Sequence, residues 1–516
     1  MTTRWRESVG LITLCVGLAA ATISPARAVT DADCRHRVNS TQERLLACIR
    51  RDVLWQHLVE LQKIADANPG AQGHANRNIG TKGYRASVEY VTRLMQKAGY
   101  HVQIQAYPWK RSRTVGTPQL TIDGHVYREA TDWFVAGLSG SGQVHAAIAA
   151  PGLESETSTG CDSASFHGFA RGSVALLKRG ACDFDTQVAN AQAAGASAVI
   201  LYNDKADIDA NGPYRKHARG EAFSAMLSQP ANIPVIGALS YEDGAALAAQ
   251  SRSGNAPVAA LSVQTELFSR KDYNVIADSP YGDDAHTVVV EGHLDAIHGA
   301  GILDNGSGSS TILEIARNLA NTPTKNHLRF IWFGGEEIGL LGSKYYVSAL
   351  SPAELKKIAF DIDVDVTATP NYAILIADPG HAHAADKFPK KVIRDSQPGN
   401  HAFLEYFRSI GIASRIASFG NDGTDSIPFS FAGVPNTGIL TQQDCCKHDW
   451  EVRLWGGFTG NFEGNIPSHD GGCVDNPGRW CDNLSNNDRG VLEFVSKATA
   501  AVVLKFANDG GLGRKK

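Results

Sequence analysis

From about residue 274 onward, short apolar runs alternate with segments whose apolar residues recur at helical spacing. "TVVVEG" (287–292) and "HLRFIWFGG" (327–335) are nearly continuous apolar runs and predict buried strands. Between them, "SSTILEIARNLAN" (309–321) places Ile312, Ile315, Ala316 and Leu319 on one helix face. "LLGSKYYVSAL" (340–350) predicts a further helix, and "AFDIDVDV" (359–366) a strand in which acids and apolar residues alternate. Strand, helix, strand, helix, strand is the order of an α/β fold, with a mixed, largely parallel central sheet flanked by helices. Upstream, residues 54–98 carry two amphipathic helical patterns, the second through Val88, Val91, Leu94 and Met95, and "AGYHVQIQAY" (98–107) predicts a strand. A helix over "GVLEFVSKATAAVVLKFA" (490–507) closes the pattern, and residues 509–516 are expected to form a loose tail.

Two stretches break this rhythm. Between about residues 133 and 263 the texture changes to many short β runs rich in Gly and Ala, with a single helical segment, "TQVANAQAAGA". A smaller β-rich domain is therefore assigned to residues 131–265, inserted between 29–130 and 266–508 of the main domain. At the other break, Arg4 and Arg6 precede the apolar "VGLITLCVGLAAATI", and Ala26-Arg27-Ala28 makes a small-residue cleavage pattern. Residues 1–28 are thus expected to be a signal peptide, because the apolar stretch is short for a membrane span.

Composition adds compartment and excludes one class of partner. The 516 residues are 43% hydrophobic and 20% charged with a formal net charge of -4, a globular balance with no basic excess for nucleic acid. Nine cysteines become eight once Cys15 leaves with the signal, an even number suited to disulfides in a secreted or periplasmic chain. Cys34 with Cys48 and Cys161 with Cys182 are plausible local bridges, while the pairing among Cys445, Cys446, Cys473 and Cys481 stays open. A monomer with no membrane attachment after signal cleavage is expected.

Candidate chemistry gathers where the predicted strands end, the usual place for ligands in open α/β sheets. His293 and Asp295 follow "TVVVEG", and Asp304 lies in the Gly-rich turn leading to the next helix. A His-x-Asp pair alone is an ordinary structural feature. Glu336 and Glu337 end the next strand, where adjacent carboxylates can point in different directions, one toward a metal and one free to move a proton. Alone they would also suit a helix start, where the dipole favours acids. Asp361, Asp363 and Asp365 alternate along the third strand and share one face, so some of them are expected to face water or a cation, with Asp365 nearest the strand end. One imidazole among several carboxylates is a donor mixture suited to zinc.

These residues carry a family resemblance. "GHLDAIHGAGILDNGSGSS", "FGGEEIGLLGSKYY", "VDVTATPNY" and "NDGTDSIPFSFAGVP" look like the secreted co-catalytic zinc aminopeptidases of the leucine-aminopeptidase type, in the same order and over nearly all of the mature chain. "GSVALLKRGACDF", from Gly172 to Phe184, with the helix and strand after it, resembles the protease-associated domain, an insert without catalytic residues in its own family. The resemblance implies a zinc exopeptidase fold with two zinc ions per chain. His293 and Asp365 would bind one ion, Glu337 and a distal histidine the other, and Asp304 would bridge them. Glu336 would be the general base and Asp295 would orient His293. A cis peptide is implied at Asp304-Asn305. The family's distal histidine precedes a Cys-Asp pair that here matches "CDNLSNN", but "DNPGRW" just before it lacks one. His469 follows "LWGG" at a similar distance to the family's ligand and is preferred, with an insertion after it, and His448 is the runner-up. Asp425 and Phe429 match the segment beside the family's substrate pocket, which implies apolar N-terminal residues in peptide substrates.

The resemblance implies metal-assisted hydrolysis by aminopeptidase action, and the lack of a G-x-S-x-G elbow, an H-E-x-x-H helix and a G-x-x-x-x-G-K-[ST] loop agrees with it. A carboxypeptidase, a single-zinc glutaminyl cyclase and a non-catalytic receptor-like protein of the same fold are the alternatives. His298, His381 and His383 match no family ligand and are expected to be loop residues.

Overall fold

The computed structural model describes residues 30–70, 73–152, 159–180, 182–204, 222, 223, 225–382, 384–417, 424–444, 446–463, 473 and 480–512. The chain enters a first sheet through β1 (His101–Thr114) and leaves it for a second sheet. That sheet is built from β2 (Gln119–Ile122), β3 (His125–Tyr127), β4 (Phe134–Val135), β5 (Gly142–Ala149), β6 (Val174–Lys178), β7 (Ala198–Tyr202), β8 (Val235–Leu239) and β9 (Val258–Val263). The chain then returns through β10 (Thr265–Asp278), β11 (Asp283–His293), β12 (Asn326–Phe333), β13 (Ile358–Val364), β14 (Leu375–Ala377), β15 (Arg415–Ala417) and β16 (Asn436–Leu440).

The apolar runs take the middle of the first sheet, whose order is β1-β10-β12-β11-β13-β16-β14-β15. β12, β11, β13 and β16 are mutually parallel, and β10 and β14 flank them antiparallel. Buried on both faces, such strands need apolar residues at successive positions, as Val288, Val289 and Val290 supply. Phe330, Trp332, Phe360, Ile362 and Val364 point to one face, against the helices Arg51–Ala67, Lys82–Ala98, Gly308–Leu319 and Arg489–Asn508. Val289, Ile331 and Phe333 point to the other, against Tyr346 of the Leu341–Ala349 helix and Phe429 of the Ser426–Phe431 helix. Each of these fully buried side chains contributes roughly 1.5–3 kcal/mol of apolar transfer.

The second sheet has its own cores on its two faces. Its β2 pairs with β3 on one side and with β9 on the other, so the second sheet takes in the chain from Gln119 onward. These strands, "QLTI" and "HVY" around an Asp123-Gly124 turn, are too short for periodicity to announce them. β1 and β10, paired in register along their whole length, form the ribbon that carries the insert.

Both local disulfides are present, Cys34–Cys48 and Cys161–Cys182, and in the late cluster Cys473 is joined to Cys481 while Cys446 is also disulfide-bonded. Cys34 belongs to the short Asp31–His36 helix, which Thr30 and Asp33 start with a capping box. From it, Arg35 reaches fully buried Glu314 with contacts of 3.0 and 2.8 Å, and His57, Arg317 and Asn318 complete the shell around that carboxylate. Among the described residues, no helix is long and apolar enough to cross a membrane.

Candidate active site

The site lies where the carboxyl ends of β11, β12 and β13 come together. Parallel pairing sets His293 opposite Phe333, just before the Glu336-Glu337 turn, and sets Glu291 opposite Asp363, two residues before Asp365. His293 is buried, and its Nε2 lies 2.9 Å from Asp304 Oδ1, 3.3 Å from Asp365 Oδ1 and 4.0 Å from Glu336 Oε2. Its Nδ1 lies 3.2 Å from the Asp295 carbonyl and 3.6 Å from the Asp295 carboxylate. An Nδ1 proton directed at that carbonyl leaves the Nε2 lone pair facing the carboxylates, the tautomer a metal requires. Asp295 Oδ1 also accepts the Glu336 N–H at 3.4 Å, which ties the β11 and β12 ends together.

Asp304 is carried by a loop packed hard against β13. The Asp304-Asn305 peptide is cis, as the family resemblance implied. Asn305 Nδ2 donates to the Val364 carbonyl (2.9 Å), and Asn305 Oδ1 accepts from Gly308 N–H (2.8 Å) and Val366 N–H (3.1 Å). Gly308 is needed here, since a Cβ on it would lie 2.2 Å from both the Val364 carbonyl and Asn305 Oδ1. Ser309 donates to the His293 carbonyl at 2.6 Å, fixing the helix start to the β11 end.

Among the described residues, His293, Asp304 and Glu337 form the one group of three or more ligating side chains whose donor atoms lie within 4.8 Å of one another. Glu337 Oε1 and Asp365 Oδ1 are buried without a hydrogen-bond partner among the described residues. Buried carboxylate oxygens gathered around one imidazole are the donor set that a cation needs, and the mixed nitrogen and oxygen donors fit zinc. The electrostatics agree. Burial, reinforced by the charges of Asp425, Asp365 and Asp304 against the pull of His293, raises the Glu336 carboxyl well above the usual carboxylate range. Burial opposes charge on His293, but Asp365, Glu336, Asp295 and Asp304 outweigh it and raise its pKa. A bound cation acts in the opposite sense on both groups.

Of the three alternating aspartates, Asp365 is the one that reaches the imidazole. Asp361 and Asp363 do not face water but are buried beneath the Ser426–Phe431 helix, beside buried Glu291 and Asp425. Burial and the Asp365 charge push the Asp363 carboxyl up to about 7, although Thr424 Oγ1 and the Ser426 N–H donate to it. Burial, with Asp363 and Asp425 nearby, raises Asp361 well above the carboxylate range, which favours its neutral acid over an uncompensated charge. Asp425 accepts from Ser343 and is buried, and Phe429 packs between Phe333 and Tyr346, so both stand in the wall behind the site.

Of the distal-ligand candidates, His469 lies outside the described residues. His448 precedes the Asp449–Trp455 helix with its N–H bonded to Glu451 (2.8 Å), and it is not among the donors gathered at Asp304. His298 sits in the site loop edge-on to Trp480, His381 is largely exposed beside Asp378, and His383 lies outside the described residues.

A family model described as peptidase family M28 matches residues 274–472, and one described as the PA domain matches residues 143–247. The chain is 32% identical to an aminopeptidase of Pseudomonas aeruginosa over 477 residues, 90% of this chain and 82% of that one. The chain belongs to peptidase family M28. This M28 peptidase is also 32% identical over 460 residues to a probable leucine aminopeptidase 2 of Aspergillus fumigatus, covering 88% of this chain and 84% of that one. Its fold is that of an aminopeptidase from an Aneurinibacillus species, with a TM-score of 0.66 at 21% identity over 92% of this chain and 97% of that one. A zinc aminopeptidase from Bacillus subtilis shares the fold with a TM-score of 0.56 at 23% identity, over 89% and 96% of the two chains.

Two buried residues of the M28 peptidase received no role from sequence reasoning, although both touch the site loop. Arg77, in the connection between the first two long helices, donates to carbonyls of that loop, and Asp482 accepts from its amides. Only the Cys-Asp pair within "CDNLSNN" hinted at Asp482, and nothing local distinguishes Arg77.

Proposed function

We propose that this M28 peptidase is a secreted co-catalytic zinc aminopeptidase that hydrolyses the N-terminal peptide bond of peptides and prefers apolar N-terminal residues. The observation that carries the reading is the convergence of His293, Asp304 and Glu337 within 4.8 Å, with the Glu336 carboxylate 4.0 Å from the same imidazole nitrogen. In this assignment His293 and Asp365 hold one ion, Glu337 and His469 the other, and Asp304 lies between them. Support for His469 comes from the chain on either side of its segment. Glu463 accepts the Cys473 N–H at 2.8 Å, Cys473 is bridged to Cys481, and the adjacent Asp482 bonds to the Asp304 N–H.

Bound zinc supplies a polarised scissile carbonyl and a water of lowered pKa. Glu336, whose carboxylate lies 4.0 Å from His293 Nε2, takes the proton of the attacking water on a carboxylate oxygen and delivers it to the leaving amine. Asp295 keeps the His293 ring oriented through Nδ1, so Nε2 stays available. The apolar cluster Leu340, Ala384, Phe388 and Ile427 flanks the Glu336 turn, where Leu340 N–H bonds to the Glu336 carbonyl at 2.9 Å, and it offers a surface for an apolar side chain. Asp425 and Phe429 support that wall from behind. The disulfides support an oxidising compartment.

Zinc per chain and leucine-anilide hydrolysis, measured for the wild type and His469→Ala, test the assignment. Two ions falling toward one with loss of activity is expected. One ion in the wild type, unchanged by the substitution, removes the two-ion mechanism. In a panel of aminoacyl anilides, fastest cleavage of Glu or Asp would remove the apolar preference.

A further inference from the structure

The loop from Leu294 to Asp304 joins His293 and Asp295 at one end to Asp304 at the other, and its backbone is gripped from both polarities. On the carbonyl side, Arg77 Nη1 donates to Leu294 O (2.8 Å), Nε to Ala300 O (2.6 Å) and Nη2 to Gly301 O, while the Arg77 N–H donates to Gly299 O (2.8 Å). One guanidinium thus spans both ends of the loop. On the amide side, Asp482 Oδ1 accepts from Ile302 N–H (3.1 Å) and Leu303 N–H (2.7 Å), and Oδ2 accepts from Asp304 N–H (3.1 Å). Asn78 extends the grip by donating to Ile297 O (2.6 Å) and accepting from Gly299 N–H (3.1 Å).

We propose that Arg77 and Asp482 are positioning residues that clamp the 294–304 loop and thereby fix Asp304 relative to His293, setting the spacing of the metal donors. The inference rests on Asp304 and His293 being metal ligands. Both clamp residues are buried, Arg77 at 0% and Asp482 at 3% exposure. Sequestering a guanidinium and a carboxylate is costly, and here the cost is met by hydrogen bonds to buried backbone groups of the loop, which an apolar residue would leave unmade. A planar fork does what no apolar side chain can, since three carbonyls are held in one fixed geometry. Asp482 performs the complementary task on three successive N–H groups, the last belonging to Asp304 itself. These hydrogen bonds all go to loop backbone atoms, so both residues act through the backbone.

Loss of a partner that orients a metal ligand lowers metal affinity or turnover by roughly 10- to 100-fold. The test uses the purified zinc enzyme with Asp482→Asn, which is isosteric and keeps one acceptor, and Arg77→Lys, which keeps the charge but cannot span three carbonyls. Zinc release to an excess of chelator, kcat and KM on leucine anilide, and far-ultraviolet circular dichroism are read on each. Expected are an unchanged circular dichroism spectrum, zinc release faster by about 10-fold or more and kcat lower by about 10- to 100-fold, with KM within about twofold. Wild-type zinc release and kcat in a folded Asp482→Asn enzyme overturn the proposal, even if thermal stability falls. Should Arg77→Lys fail to fold, the milder Asp482→Asn decides. A wild type that holds no zinc would instead overturn the ligand assignment, which separates the two failures.

Discussion

Arg35→Met should cost far more than the place of Arg35 in a six-residue helix suggests. Arg35 Nη2 meets Glu314 Oε1 at 3.0 Å and Oε2 at 2.8 Å, and the Glu314 side chain has 0% exposure, so water cannot replace the lost contacts. Breaking a buried pair from one side costs about 3–5 kcal/mol. Glu314 keeps His57 (3.2 Å), Arg317 (3.3 Å) and Asn318 (2.9 Å), which places the expected loss near the lower end, about 3 kcal/mol. The Arg113–Glu266 pair is the control. Its contact is shorter, 2.5 Å, but its side chains are 68% and 56% exposed, so Arg113→Met should cost no more than about 1 kcal/mol. Equilibrium urea unfolding separates the two. With an m-value of about 3 kcal/mol/M, Arg35→Met moves the midpoint down by about 1 M and Arg113→Met by about 0.3 M or less. Adding Glu314→Gln to Arg35→Met should recover part of the loss, because the uncompensated charge goes with it. Equal midpoint shifts for the two arginine variants, or no recovery in the double variant, would refute burial as the source of the difference.

The same network makes the enzyme acid-labile. Burial holds His57 below the usual imidazole range, so below about pH 6.5 the unfolded chain binds a proton that the native state refuses, and stability falls with pH. Burial alone would raise Glu314, but the His57 hydrogen bond and the Arg35 charge hold it below the usual carboxylate range, so its contribution is present above that range and lost as pH falls through it. Melting temperatures between pH 4 and 7 should decline toward acid, and His57→Phe should flatten the upper part of that decline; an unchanged profile would contradict the assignment. Glu336→Gln should retain zinc and lower kcat by about 10²- to 10⁴-fold with KM nearly unchanged, whereas undiminished turnover would disqualify it as the base. Gly308→Ala should lose both zinc and activity, since its Cβ would sit 2.2 Å from the Val364 carbonyl; wild-type zinc content would mean that the loop yields without cost.

What could be read directly from the chain was whatever local pattern encodes. Continuous apolar runs named β11 and β12, helical spacing named the Gly308–Leu319 and Arg489–Asn508 helices, and strand-end position picked out His293, Asp304, Glu336, Glu337 and Asp365. Alternation along β13 placed Asp361, Asp363 and Asp365 on one face, but alternation cannot say what covers that face. The Ser426–Phe431 helix covers it, so Asp361 and Asp363 are buried acids and only Asp365 reaches the imidazole. Likewise β2 becomes a strand because β9 offers it an edge, 136 or more residues along the chain, and β3 then pairs with β2.

The clamp on the site loop shows the same division at its sharpest. Arg77 lies 217 to 224 residues from the carbonyls it holds, and Asp482 lies 178 to 180 residues from its amides. No periodicity or short motif links groups so far apart, because hydrogen bonds to backbone atoms place no demand on the identity of the residues that supply them. The sequence by itself determined which side chains could bind a metal and where strands would end; only the packed structure decided which of them meet and what holds them there.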